Sequence, residues 1–323
     1  MKDVADHLGV SRQLVSLVLR DLPGASDETR RRVREAADEL GYHPDASARL
    51  LRGRRSFRLG VLFTMHEPFE VDLVEALMAD AAARGYSLAL GPLGSGRTQP
   101  EVIADLLGQR IEGLVVLATG DGSATIAGLP DQLPVVQLGG PRSADPVDDV
   151  RVDSGYGIRL LVDHLTRLGH ERIAYVTGGS GPNAADRREA YVAAIADRGL
   201  VPDVLEGAFS EEGGSAAADA LLARGALPTA VMAANDRTAV GLLSTLVRRG
   251  IRVPEDVSVA GFDDSSIAAL PYVRLTTVRH DPQTLAAQAL DAVIRRIDEP
   301  DAPPVAHRDA PELVVRESTG PRP

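Results

Sequence analysis

Between residues 2 and 41 the apolar positions recur at helical spacing in three short runs. In KDVADHL, Val4, Ala5 and Leu8 share one face, and Gly9 breaks the run. Ser11 stands at an N-cap position ahead of RQLVSLVLR, in which Val15, Val18 and Leu19 face inward while Arg12, Gln13, Ser16 and Leu17 face out. Two short helices joined by Gly9-Val10 predict a helix-turn-helix. A third helix starts at the cap Ser26, carries Asp27 and Glu28 at its positive end, buries Val33, Ala37 and Leu40, and stops at Gly41. From Leu59 the pattern changes to short continuous apolar runs separated by amphipathic helices. LGVLF (59–63), SLALG (87–91), GLVVL (113–117), PVVQL (134–138), RIAYV (172–176), TAVMA (229–233) and VSVAG (257–261) read as buried parallel strands. Val71, Val74, Leu77, Met78 and Ala81, and again Ile158, Leu161, Leu165 and Leu168, mark intervening helices. Such alternation predicts parallel sheets covered by helices on both faces, and its length suits two lobes better than one.

Between these halves lies Pro44 to Arg58, PDASARLLRGRRSFR. Pro44 ends the preceding helix, Asp45 sits at a cap position, and Ala46 to Arg52 are helix formers too few to hold a helix alone in water. Arg49, Arg52, Arg54, Arg55 and Arg58 fall within ten residues with no acid among them, which calls for a polyanionic partner. Leu50 and Leu51 among those arginines supply an aliphatic wedge of the kind that enters a DNA minor groove.

Charge sharpens this division. The chain carries -11 overall, yet residues 1–58 hold 12 Lys/Arg against 9 Asp/Glu, so +3 stands before a remainder of -14. A basic nucleic-acid surface is therefore confined to the N-terminal part. Cys is absent, which removes disulfides, thiolate metal sites and thiol nucleophiles. No apolar run reaches membrane-spanning length and no secretory signal is visible, so a cytoplasmic location with no membrane partner is expected.

The motifs DVADHLGVSRQLVSLVL and TRRRVREAADELGYHPDASARLL resemble the headpiece and hinge of the lactose/galactose repressor (LacI/GalR) family. VRVDSGYG, LTRLGHERIAYVTG, AANDRTAVG, VPEDVSVAGFDDS and LTTVRHDP resemble its effector domain, itself similar to type I periplasmic sugar-binding proteins, so the likeness covers almost the whole chain. It implies an all-α helix-turn-helix headpiece at 1–43, a hinge helix and linker at 44–58, and an α/β effector and dimerisation domain at 59–323. In that domain the first lobe takes 59–153 and 281–310, and the second takes 154–280 and 311–318. Ser11, Arg12, Gln13, Ser16 and Leu17 would meet operator DNA, with Ala48, Arg49, Leu51 and Arg52 of the hinge at its centre. The C-terminal ESTGPRP carries no heptad repeat, so a homodimer is expected rather than a tetramer.

Ligands of open α/β sheets lie beyond the carboxyl ends of the strands. Asp153, Arg187, Asn235 and Asp263 meet that condition, and the resemblance assigns them hydrogen bonds to a small-molecule effector, a sugar or polyol. Phe69 and Phe209 would supply apolar walls, and His280 stands where relatives often hold Gln. Each position also admits a plainer reading: Asn235, Asp236 and Asp264 as helix caps, Arg187 in a surface ion pair. Several positions depart from the family, namely Leu14 and Leu17 in the second helix, Asp45 before the hinge, and Glu70, Gly139 and Gly140 near the expected ligand. The headpiece changes imply an operator unlike the family's commonest ones, and those near the ligand leave the particular sugar unassigned and a non-sugar ligand open. GSGPNA (179–184) fits the loose dinucleotide pattern G-x-G-x-x-A and leaves a small-molecule-binding protein or NAD(P)-dependent enzyme as the competing class. No clear strand delivers Asp203 to such a site, however, and no catalytic constellation accompanies it. No catalytic residue, cofactor or metal site is expected.

Overall fold

The computed structural model describes residues 2–19, 23–41, 55–94, 96–117, 126, 128–140 and 147–323. It divides into two compact units, Met1–Ser56 and Phe57–Pro323. In the first, α1 (Lys2–Leu8), α2 (Arg12–Leu19) and α3 (Asp27–Glu39) close around Val4, Ala5, Val15, Val18, Val33, Ala36 and Ala37. The caps are formed by side chains: Leu14 N–H donates to Ser11 Oγ at 3.1 Å and Thr29 N–H to Ser26 Oγ at 3.3 Å.

Two packing expectations need correction here. Leu40 is 44% exposed because α3 ends at Glu39 and Leu40 is its C-cap; Ala36 takes the buried place instead. Leu17, expected to point outward, is half-buried against the core, at the edge of the apolar stripe and close to the turn at Gly24. The hinge residues Ala48, Arg49, Leu51 and Arg52 lie outside the described residues.

The second unit begins with β1 (Arg58–Thr64), α4 (Pro68–Ala83), β2 (Ser87–Leu93), α5 (Gln99–Gly108), β3 (Gly113–Leu117), β4 (Val135–Leu138) and β5 (Asp148–Val152). The chain then enters a second lobe through α6 (Ser154–Arg167), β6 (Ile173–Val176), α7 (Ala184–Ala196), β7 (Asp203–Leu205) and α8 (Glu211–Ala223). There it continues through β8 (Ala230–Ala233), α9 (Asp236–Arg248), β9 (Ser258–Ala260) and β10 (Thr277–Arg279). It returns to the first lobe as α10 (Pro282–Asp298) and β11 (Ala306–Asp309), and β12 (Glu312–Val314) ends in the second. The first sheet has the order β11-β5-β4-β3-β1-β2 and the second β7-β6-β8-β9, and every pairing within both is parallel.

Alternation along the strands explains the layers. Leu59, Val61 and Phe63 face Leu73, Leu77, Leu285 and Leu290, whereas Leu62 faces Val102, Ile103 and Leu106 on the other side. In the second lobe Ala174 and Val176 meet Leu221 and Leu242, while Ile173 and Tyr175 meet Leu161 and Tyr191. Each sheet thus buries both faces under helices, which is why its strands read as unbroken apolar runs. Two features escape that reading. The pair β10–β12 is antiparallel, since β12 comes back along the chain's last crossing. And Asp203 does lie on a strand, β7, a three-residue edge too short to show a period.

Candidate functional site

A cavity of about 570 Å³ opens between the lobes. The strand ends and following loops of both parallel sheets supply its walls, where a ligand of such sheets belongs. Phe69, Arg187, Phe209, Asn235, Asp263 and His280 all line it. Asp153 does not appear in the lining, which passes instead through its neighbours Val152 and Ser154. Its carboxylate is turned into α6, where Oδ1 accepts from Tyr156 N–H at 2.8 Å as the N-cap.

On the second-lobe side the polar groups are tied to their own scaffold. Arg187, in the first turn of α7, donates from Nη1 to the Ala234 carbonyl at 2.5 Å and from Nη2 to Asp263 Oδ1 at 3.1 Å. Its guanidinium lies 3.8 Å from the centre of the Phe262 ring, and Nε is buried with no hydrogen-bond partner among the described residues. Asp263 has φ +111°, a conformation that L-residues rarely adopt. Buried Asp236 holds the turn in place: it accepts from Ser265 N–H at 2.8 Å, Ser265 Oγ at 2.9 Å and Thr277 Oγ1 at 2.6 Å. Burial raises the pKa of Asp263, and the charge of Arg187 opposes that rise. Asn235 caps α9, its Oδ1 accepting from Thr238 N–H at 2.9 Å. The cap reading and the cleft position therefore hold together for this residue. His280 packs edge-on to Phe69, 4.0 Å between ring centres, with Nε2 3.7 Å from Asp263 Oδ1. Burial first, and Arg187 second, push its pKa well down, so the imidazole is neutral.

The first-lobe side contributes Leu73, Leu117 and Leu138, and with them Glu67, Glu70 and Arg151. Glu67 precedes α4 and reaches across the cleft: Arg237 Nη1 donates to Oε1 at 3.1 Å and Asn235 Nδ2 to Oε2 at 3.4 Å. Burial lifts its pKa to about 7 against the pull of Arg237. Glu70 accepts from Thr64 N–H at 2.6 Å, and burial pushes it up to about 8. Arg151 donates to the Gly140 carbonyl at 2.7 Å and also binds Asp149. Gly140 N–H donates in turn to Asn183 Oδ1 of the second lobe at 3.1 Å. Pattern reading gave no site role to Glu67, Ser154 or Asn183, which lie at element junctions with no periodic signal to mark them, or to Arg151, a charged position inside β5. Glu67-Pro68 ahead of an apolar helix was the only local hint, as a helix start.

GSGPNA now has a packing explanation. Gly179 has φ +63°, and a Cβ there would stand 2.9 Å from the Gly207 carbonyl; a Cβ on Gly181 would stand 2.3 Å from the Phe209 ring. Both glycines make room for the loop that carries Phe209. Asp203, although on a strand, gives its carboxylate to Arg224 at 2.8 Å and its backbone to Tyr191. It is spoken for at the start of β7, away from the carboxyl strand ends that line the cleft.

In the headpiece Ser11, Arg12 and Gln13 are exposed at the start of α2, with Ser16 half-buried one turn on. Ser11 is engaged as the cap, accepting from Leu14 N–H, so its hydroxyl is tied to the first turn of α2.

A helix-turn-helix module and a two-lobed α/β domain of the type I periplasmic-binding-protein-like fold thus occur in one chain. Residues 1–45 match the family described as bacterial regulatory proteins, lacI family, and residues 162–319 match a periplasmic binding protein-like domain. The HTH-type transcriptional regulator GalR of Escherichia coli (strain K12) is 34% identical over 325 residues, which span 98% of this chain and 95% of GalR. The crystal structure of the lac repressor dimer bound to operator and the anti-inducer ONPF matches with a TM-score of 0.82 at 28% identity, over 98% of each chain. That of the transcriptional regulator CelR–cellobiose complex matches with a TM-score of 0.74 at 29% identity, also over 98% of each. The chain belongs to the LacI family of bacterial transcriptional regulators. Among the described residues, no helix is long and apolar enough to cross a membrane.

Proposed function

We propose that this regulator is a cytoplasmic, non-enzymatic repressor that binds a near-palindromic operator as a homodimer and is switched by a sugar or polyol held between the lobes. Residues 1–43 read the operator, 44–58 form the hinge, and 59–323 bind effector and partner, with lobes at 59–153 plus 281–310 and 154–280 plus 311–318. Arg12 and Gln13 carry the base contacts, since their side chains suit guanine and adenine edges in the major groove. Ser11, Ser16, Ala48, Arg49 and Arg52 position the backbone, Leu51 enters the central minor-groove step, and half-buried Leu17 offers at most a methyl contact.

The observation that carries the effector half is the pair Arg187–Asp263, fixed in the wall of a cleft whose lobes are joined by three chain crossings. A guanidinium beside a carboxylate supplies donors and acceptors to vicinal hydroxyls, with Phe69 and Phe209 as apolar walls. The cellobiose in the CelR complex and the operator in the lac repressor structure support the same reading. The expected motion is a change of lobe angle about the crossings, which tilts the two hinges of the dimer.

The test is fluorescence anisotropy with palindromic and scrambled duplexes across a salt series, joined to a thermal-shift screen of sugars and polyols. Binding should favour the palindrome and fall steeply with salt. A sugar that raises Tm should change operator affinity, and operator should change sugar affinity by the same factor. Equal binding to both duplexes at moderate salt rejects the operator assignment.

A further inference from the structure

The cleft's charges do not cancel on its first-lobe side. Arg187 is committed to Asp263 and the Ala234 carbonyl. Arg151 is committed to Asp149 and the Gly140 carbonyl, and Arg237 to Glu67 and Glu211. Asp263 and Glu67 are thereby neutralised. Glu70 is the remaining cleft carboxyl: it is 7% exposed, its hydrogen bond comes from Thr64 N–H, and no Lys, Arg or His among the described residues pairs with it. Glu67 and Asp263 stand near enough to push its pKa further in the direction that burial drives it. A buried carboxylate without a counter-charge is costly, so the site either keeps a proton there or receives a cation. A phosphate or carboxylate ligand at this wall would meet Glu70 with no cation among the described residues beside it to offset the repulsion. A neutral hydroxyl would meet Glu70 in its protonated form, whereas an ammonium would favour the ionised carboxylate and form the stronger charge-assisted bond with it.

We propose that Glu70 is a specificity-determining residue that makes the cleft select an effector bearing a protonated amino group, an amino sugar or amino polyol, over its neutral hydroxyl counterpart. The ammonium sits against Glu70 on the first-lobe wall while the hydroxyls face Arg187 and Asp263. This rests on the sugar or polyol reading of the cleft, and it adds to that reading the charge of the ligand. Phe69, the residue before Glu70, also lines the cleft and offers apolar surface beside the ammonium.

The experiment is isothermal titration calorimetry on the full chain with matched pairs: glucosamine and glucose, galactosamine and galactose, mannosamine and mannose. In at least one pair the amine should bind tenfold or more tightly than its neutral partner. In Glu70→Gln, which keeps shape and removes the charge, that ratio should fall to near one. The wild-type ratio stands as a test even if the variant folds poorly. Neutral sugars that bind as well as or better than their amines overturn the proposal and leave the sugar reading intact. An undiminished ratio in Glu70→Gln overturns it too, by removing Glu70 from selection. No binding by either member of any pair defeats the sugar reading and the proposal with it.

Discussion

The two walls of the cleft are built on different terms. The second-lobe wall is locked before any ligand arrives: Asn235 caps its helix, Arg187 is gripped by Ala234 and Asp263, and the strained Asp263 turn is braced by Asp236. The first-lobe wall is largely apolar: Glu67 is paired with Arg237 across the cleft, while Glu70 hangs on one backbone hydrogen bond. A wall whose polar groups are fixed by internal bonds presents one geometry to any ligand. A wall with an uncompensated group chooses among ligands, because only some can satisfy it. Recognition of the ligand's common features therefore belongs to the second lobe and discrimination to the first.

Several substitutions can break or sharpen this contrast. The largest effect is expected from Arg187→Met, which leaves Asp263 buried without its cation. Loss of one partner of a buried ion pair costs about 3–5 kcal/mol, read as a lower urea midpoint for the effector domain at pH 7. A smaller cost would mean that the second-lobe wall relaxes readily and is not locked.

Next comes Glu70→Gln, with the opposite sign at high pH. The folded pKa of about 8 lies above the ordinary 4.5, so the folded state holds the extra proton between those values. Wild-type stability from this group is full below pH 4.5 and is lost as pH rises through 8. Glutamine has no such loss, so the variant should gain on wild type by about 2–4 kcal/mol between pH 5 and pH 9 in paired thermal melts. Parallel pH profiles would show that Glu70 is compensated after all.

Gly181→Ala pushes a methyl onto the Phe209 ring, and overpacking of this kind costs about 1–3 kcal/mol. It should also weaken any sugar found by the thermal-shift screen, since Phe209 must move. Smallest is Ser11→Ala, a control outside the cleft. Loss of the α2 cap should lower headpiece stability by about 1 kcal/mol, seen by amide exchange in residues 11–19, with the cleft unchanged.

Much of the fold was legible in the chain because it is written in local periods. Val4, Val15 and Val33 announced three packed helices, and runs such as GLVVL announced strands buried on both faces. The cleft was legible in part. Arg187, Asn235 and Asp263 follow strands where α/β ligands lie, and all three do reach the cavity. Asp153 follows a strand as well, yet it caps α6, because a carboxylate just ahead of a helix has unpaired N–H groups at hand.

What the sequence by itself determined is the division into a basic helical headpiece and an acidic α/β body, the alternation of that body's longer strands and helices, and the family its motifs belong to. Hydrophobic period and charge distribution are local properties, and they survive in one dimension. Only the tertiary structure decided which charges meet. Glu67 and Arg237 are far apart in the chain and 3.1 Å apart across the cleft, while Glu70, close by in sequence, meets no cation among the described residues. Compensation of charge depends on distances that folding creates. For that reason the selective wall of this regulator, unlike its strands, could not be read along the chain.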